Sequence, residues 1–472
     1  MRFITFFILS VFIFLIIAPD RLEPSSYKST DSAWVSIKNQ KIDLTRPLSL
    51  TELIDIALRN NPNTRKAWKN TLVAKTLKQQ SLSAYYPQAN VSAEVTREKK
   101  IDTNPQANLD DLHYGPAFKI TYLLLDCGGR KGTVEETSQR IISADFQYNQ
   151  AIQDALLGVE KSYYALYSAR SGLEAAESDL ENAKADFVLT HERYYVGLVS
   201  KPDLLAAKSS YDNAIYALEN AKGALKDAKA NLAQVIGLAA DADLNISSPS
   251  KDMPADITEE DISRVIEEAI AKRPDIASVR AELKAKKAEI KIAQSNLFPT
   301  LNLGGSAGMN QYRHYGDIRY KEHDREYAGY ASVNWDIFDG FYNLNKKRQA
   351  QKEADAQYET LIQAEIAASV DVWTKYYSYN TALKKFQSSE ALFESVNSSY
   401  NLALESFKVG LKSKQDLLGA QSGLSDARSK LIDSRKDVFI SLAELAHATG
   451  SLDAKIEQAK TSMEYKGDNK ND

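Results

Sequence analysis

The stretch Tyr194-Tyr195-Val196-Gly197-Leu198-Val199-Ser200-Lys201-Pro202-Asp203-Leu204-Leu205-Ala206-Ala207 returns later as Phe407-Lys408-Val409-Gly410-Leu411-Lys412-Ser413-Lys414-Gln415-Asp416-Leu417-Leu418-Gly419-Ala420. The displacement is 410 − 197 = 213 residues. That is far longer than the roughly 20 to 50 residues of a solenoid repeat, so the copies are halves of one pseudo-symmetric body. Other landmarks keep the distance. Asn61-Pro62 answers Arg273-Pro274 and Tyr86-Pro87 answers Phe298-Pro299, both at 212. Tyr122, Leu125 and Asp126 answer Trp335, Phe338 and Asp339 at 213, as Gly237 answers Gly450. One residue inserted between 299 and 335 accounts for the change.

After each turn a seven-residue stripe begins. Leu204, Tyr211, Leu218, Leu225 and Leu232 recur with Ala207, Ala214, Ala221, Ala228 and Val235 three places behind. The second copy has Leu417, Leu424, Leu431, Val438 and Leu445 beside Ala420, Ala427, Ser434, Ser441 and Ala448. This is a coiled-coil seam with a large and a small side, and the small side lets helices pack closely. Upstream, Val159, Leu166, Leu173, Leu180, Phe187 and Tyr194 match Val372, Tyr379, Phe386, Phe393, Tyr400 and Phe407. With no proline from Lys131 to Lys201 or after Asn343, each upstream helix can reach about 60 residues, or roughly 90 Å. The spacing predicts a left-handed supercoil, and the glycine turn predicts an antiparallel hairpin. Shorter helices precede both halves, capped by Ser49 or Thr51 and by Thr258. A second helix follows Pro62 and Pro274.

Between the helices the period changes to two. Ala89, Val91, Ala93 and Val95 alternate with polar residues, as do Leu301, Leu303, Gly305, Ala307 and Met309. Their partners carry Tyr114, Phe118, Ile120, Tyr122 and Leu124, and Tyr327, Ala331, Val333, Trp335 and Ile337. Aromatic residues stand eight apart near the ends of these faces. At about 3.3 Å per residue and a tilt near 40°, that spacing covers roughly 20 Å of membrane normal. The connecting segments, Asp102 to Leu112 and Gln311 to Glu326, are polar. A soluble sheet would show the same alternation. Four strands are too few for a membrane barrel, which needs about eight, and an open edge is forbidden in lipid. If the strands span a bilayer, several chains must share one barrel.

Composition narrows the function classes. The 472 residues include only 20 Gly and 12 Pro, little punctuation for many short elements. The net charge of −4 comes from 59 basic and 63 acidic residues that are well mixed, which argues against nucleic acid as a partner. Arg2 followed by an apolar run from Phe3 to Ala18 reads as a secretory signal, with the cleavage site left open by Pro19. Cys127 is the only cysteine, so no intrachain disulfide is expected, and no cysteine follows the apolar run to accept lipid. The five histidines lack metal-ligand spacing. No catalytic residue, metal site or cofactor is expected.

Two repeats of helix, strand pair, long helix, Val-Gly-Leu-x-Ser turn and return helix resemble the TolC-like outer-membrane efflux protein family. The likeness covers about Leu48 to Gly450. It includes Tyr86-Pro87 and Phe298-Pro299 entering the strands, and Leu125-Asp126-Cys127-Gly128-Gly129-Arg130 and Phe338-Asp339-Gly340 leaving them. It implies a mostly α fold with a transmembrane β-barrel portion: a homotrimer sharing a twelve-stranded barrel, continued across the periplasm by an α-helical barrel. Such a duct conducts drugs, metal ions or secreted proteins passively out of a Gram-negative cell. It works with a periplasmic adaptor (membrane fusion) protein and an inner-membrane transporter in tripartite efflux or type I secretion. The resemblance assigns adaptor contact to Val196, Gly197, Leu198, Ser200, Val409, Gly410, Leu411 and Ser413. It places the periplasmic constriction at Asp203, Phe407, Lys412 and Asp416, where phenylalanine and lysine depart from the family's tyrosine and arginine. Tyr114, Phe118, Tyr122, Tyr327, Val333 and Trp335 would face outer-membrane lipid as an aromatic belt.

The expected organisation is a signal at 1–18, a periplasmic segment at 19–47, a first repeat at 48–240, a linker at 241–257, a second repeat at 258–450 and a polar, disordered tail at 451–472. Strands are expected at about 86–101, 113–126, 298–310 and 326–339, with hairpin tips at 194–203 and 407–416. The rival reading is an exported periplasmic coiled-coil scaffold or adaptor. The long hairpins would suffice for that, but the alternating strands would not be expected.

Overall fold

The computed structural model describes residues 46–100, 109–249, 262–314 and 321–451. The apolar leader, nearly all of the segment before residue 48, the Thr258 cap and the tail beyond Ser451 lie outside those residues. Helix α1 (Leu50–Asn60) starts at Ser49, whose capping box with Glu52 satisfies the first backbone N–H groups. Helix α2 (Pro62–Leu82) begins with proline at its first position, where the missing N–H costs nothing. A 3-10 turn, Ser83–Tyr85, leads into β1 (Gln88–Lys100) and β2 (Leu109–Leu125). Helices α3 (Gly129–Tyr195) and α4 (Lys201–Ile236) complete the first repeat. The second comprises α5 (Ile262–Lys272), α6 (Pro274–Ser295), β3 (Thr300–His314), β4 (Lys321–Asn334), α7 (Tyr342–Lys408) and α8 (Lys414–Ala448).

The repeat is obeyed residue by residue. Helices α3 and α7 each have 67 residues and start 342 − 129 = 213 apart; each is about 100 Å long. Even the ties at the helix ends recur. Asn61 Nδ2 donates to the Val235 carbonyl at 2.9 Å, and Arg273 Nη1 donates to the Ala448 carbonyl at 3.2 Å. Both cap a return helix whose last carbonyls have no intrahelical partner.

The heptad stripes form the core. Val159, Leu166 and Leu232 are buried together with Leu53, Tyr163 and Ile236 in the first repeat, and Tyr379, Phe386, Val438 and Leu445 in the second. On the small side, Ser389 and Ser434 hydrogen-bond at 2.6 Å between α7 and α8. Side by side, the long helices run α2–α3–α6–α7 near the sheet and α4–α3–α8–α7 near the tips. Helix α6 is held by ion pairs on both flanks, Arg140–Glu289 towards α3 and Lys286–Glu353 towards α7, each at 3.1 Å.

The four strands form one antiparallel sheet in the order β1-β2-β3-β4. Gln88 pairs with Thr121 and Thr300 with Asn334. Their displacements, 300 − 88 = 212 and 334 − 121 = 213, put the extra residue inside the second hairpin. The strands reach further into the connecting segments than expected: 109–112, 311–314 and 321–326 are all strand. At the helix end β4 is shorter than expected and stops at Asn334. Strand β3 begins only after Pro299, so Trp335 has no backbone partner. Pro116, within an interior strand, sits where the β2–β3 pairing is interrupted. Beside it, a Cβ on Gly115 would lie 1.7 Å from the Met309 carbonyl oxygen, so only glycine fits.

Candidate functional site

At the far end of each long helix the same turn is built twice. Gly197 and Gly410 take φ of +76° and +81°, the left-handed conformation that ends a helix. Leu198 N donates to the Arg193 carbonyl and Leu411 N to the Ser406 carbonyl, both at 2.8 Å, closing the last turn. Ser200 and Ser413 then start the return helices through capping boxes: each Ser N–H donates to the carboxylate of Asp203 or Asp416, at 3.1 and 3.0 Å. The serine hydroxyl and then the serine N–H hold each carboxylate below its ordinary range. The leucine that follows each glycine stands largely in solvent in one subunit. Leu198 is 74% exposed and Leu411 81%, with Val196 and Val409 also exposed.

Phe407 behaves differently. It is 5% exposed and packs on Ala403 and Leu417. The Arg193 guanidinium lies 4.9 Å from its ring centroid and the Lys414 ammonium 5.3 Å. Beside it, Lys414 pairs with Asp186 of α3. Phe407 thus joins the two repeats inside one subunit, while Lys412 stands exposed at the turn. Sequence reasoning missed Lys414, Asp186 and Arg193. The only signal was a lysine three residues ahead of the stripe residue Leu417, one turn up the same face.

At the other end, the pairing gathers apolar residues of all four strands in rows on one face. Val91, Phe118, Ala307 and Tyr327 form one cross-strand row, and Tyr122, Leu303 and Ala331 another. Tyr114 shares a row with Gln311 and His323, so Tyr327 is four residues out of register with its repeat mate. Strands tilted to a barrel axis produce such a stagger. Val91, Phe118, Tyr327 and Val333 are all exposed. Trp335, just past β4, is exposed too, and its indole N–H donates to the Leu297 carbonyl at 3.2 Å. The opposite face carries Asn90, Lys119 and Ser306 in one row. Among the described residues the outer edges of β1 and β4 are unpaired. Among the described residues no helix is long and apolar enough to cross a membrane.

Comparison with known proteins matches the profile of "Outer membrane efflux protein" over residues 53–238 and again over 265–451. The chain belongs to the outer membrane efflux protein family. The double match is the internal repeat seen from outside. Protein CyaE of Bordetella pertussis is 25% identical over 72% of this chain and 71% of its own. Outer membrane protein TolC of Salmonella enteritidis is 22% identical over 75% and 72%. The Campylobacter jejuni CmeC outer membrane channel shares the fold with a TM-score of 0.74 at 18% identity, covering 85% of this chain and 86% of that one. This member of the family is therefore an outer-membrane exit duct, mostly α with a β portion, and its relatives are channels rather than enzymes.

Proposed function

We propose that three copies close one twelve-stranded barrel, β4 of each subunit pairing with β1 of the next, and that cargo passes through it without chemical change. The observation that carries this is a sheet face with apolar rows such as Val91–Phe118–Ala307–Tyr327 running across all four strands, bounded among the described residues by two unpaired edges. Lipid accepts such a sheet only when the edges are closed, and four strands are too few to close on themselves. Tyr114, Phe118, Tyr122, Tyr327, Val333 and Trp335 then face lipid, and the polar face lines the pore.

The helical barrel continues the duct across the periplasm. Its tips receive a periplasmic adaptor through Val196, Gly197, Leu198, Val409, Gly410 and Leu411, with Ser200 and Ser413 holding the turns in shape. An inner-membrane transporter supplies the energy in an efflux or type I secretion assembly. Asp203, Lys412 and Asp416 ring the closed end, and Phe407 supports it from within the subunit wall.

The test is fractionation followed by electrophoresis with and without heating. Outer-membrane material that runs as a heat-sensitive trimer supports the duct. Release with soluble periplasmic contents as a monomer supports the scaffold reading instead.

A further inference from the structure

The sheet face that carries Val91 and Phe118 changes character along its length. Near the helices it is apolar, and towards the hairpin ends it turns basic. Arg97 and Lys99 follow Val95 on β1, Arg313 follows Gln311 on β3, and Arg325 stands two residues beyond Tyr327 on β4. The register puts all four on this face, and all four are exposed. The opposite face has the opposite sign over the same stretch, with Glu94 and Glu98 on β1, Asp111 on β2, and Asp324 and Glu326 on β4. A rim that needs only solubility intersperses both signs; here they are sorted by face. Asp110, in register with Lys99, and Lys100 beside it are the exceptions.

Strand tilt brings the cations of the outer strands to one height. Tyr327 shares a row with Val91, so Arg325 is level with Ala93, four residues short of Arg97. Four residues cover about 13 Å and three strand spacings about 14 Å, a slope of roughly 43°, which is the tilt of membrane-barrel strands. The stagger has the same sense as that between Tyr114 and Tyr327. Arg313 lies further out on β3 but leans back, its guanidinium carbon 5.8 Å from the centroid of the Tyr114 ring.

We propose that Arg97, Lys99, Arg313 and Arg325 bind the phosphate groups of an outer-leaflet lipid. The proposal rests on the membrane-spanning reading of the sheet given above, and adds a ligand to that surface. Headgroups begin where the apolar band ends, and long basic side chains reach from its edge into that layer. The guanidinium fork matches a phosphate with two parallel hydrogen bonds. In a ring of three subunits the girdle holds 4 × 3 = 12 such cations, so a lipid with more than one phosphate can bridge neighbours.

The test uses the full-length protein purified as its heat-sensitive trimer in non-ionic detergent, and reads the temperature of trimer dissociation with and without diphosphoryl lipid A. The lipid should raise that temperature by several degrees. The same lipid stripped of phosphate, or inorganic phosphate alone, should not. Arg97→Gln/Lys99→Gln/Arg313→Gln/Arg325→Gln should lose the rise, whereas Glu94→Gln/Glu98→Gln, on the polar face, should keep it. Arg97 and Arg313 also interact within the chain, so Lys99→Gln/Arg325→Gln serves if the fourfold variant does not assemble, and should at least halve the rise. No rise in the unmutated trimer, a full rise in the charge-depleted one, or an equal rise from phosphate-free lipid or inorganic phosphate overturns lipid phosphate as the ligand. An unmutated protein that yields no heat-sensitive trimer overturns the membrane reading beneath it.

Discussion

Lys414 and Asp186, brought together from opposite repeats, form an ion pair almost wholly removed from solvent, with 3% and 10% of their side chains exposed. Neither Lys414 Nζ nor Asp186 Oδ2 finds a further hydrogen-bond partner. Burial of both charges is therefore poorly compensated, and the pair confers position more than stability. Lys414→Ala should cost about 3–5 kcal/mol by leaving Asp186 buried and unpaired, whereas Lys414→Met with Asp186→Leu should recover most of that. Denaturant unfolding in detergent reads both; a single variant as stable as the parent would show the pair to be solvated.

The glycines of the turns and of the core should respond differently to a methyl group. At Gly197 an added Cβ meets nothing within 4 Å, so Gly197→Ala pays only for a left-handed alanine, about 1–2 kcal/mol. At Gly237, with φ of +75°, the Cβ would also lie 2.7 Å from the Asn60 carbonyl oxygen. Thermal unfolding should show a clearly larger loss for Gly237→Ala, and equal losses would contradict the close approach.

Charge on the two faces of the sheet should have opposite outcomes. Phe118→Asp or Val333→Asp puts a carboxylate towards lipid and should abolish recovery of heat-sensitive trimers from outer membranes. Lys119→Glu, on the polar face, should assemble normally. Equal recovery of all three would remove the case for lipid contact.

At the tips, Leu198→Asp and Leu411→Asp should leave stability within about 0.5 kcal/mol, because both side chains are exposed. Pull-down with the adaptor should nevertheless fail. Retained capture by the double variant would move the docking surface elsewhere.

Acid should loosen the wall where Glu444 bridges Lys161 and Lys375. Burial raises this carboxyl's pKa, but the hydrogen bonds and charges of the two lysines outweigh it and leave the pKa below the ordinary value. Asp275, half-buried beside Arg273, shows the same balance and net direction. A depressed folded pKa means the stability is fully present above the ordinary carboxylate range, near pH 4, and lost as pH falls through the lowered value. Glu444→Gln should lower stability at neutral pH and flatten its fall in acid. An unchanged acid limb would assign the acid sensitivity to other carboxylates.

Much of this fold could be read from spacing alone. The 213-residue echo, the seven-residue stripes and the alternating strands each reflect a regular backbone period, and a period is local. The helix lengths, the turns at Gly197 and Gly410 and the apolar face through Phe118 and Val333 follow from it. Less legible was the end of β4, because that depends on where its neighbour begins and not on its own residues.

What the amino-acid order determined by itself is the pair of repeats and the impossibility of four such strands enclosing a membrane pore in one chain. What only the tertiary structure decided is the pairing of Asp186 with Lys414, the burial of Phe407 under Arg193, and the lateral order of the long helices. The first two contacts join residues more than 200 positions apart, those that order the helices include one between residues 67 apart, and no local periodicity records which of several similar helices will lie beside another. Side-chain charge and shape settle that choice only once the helices are brought together.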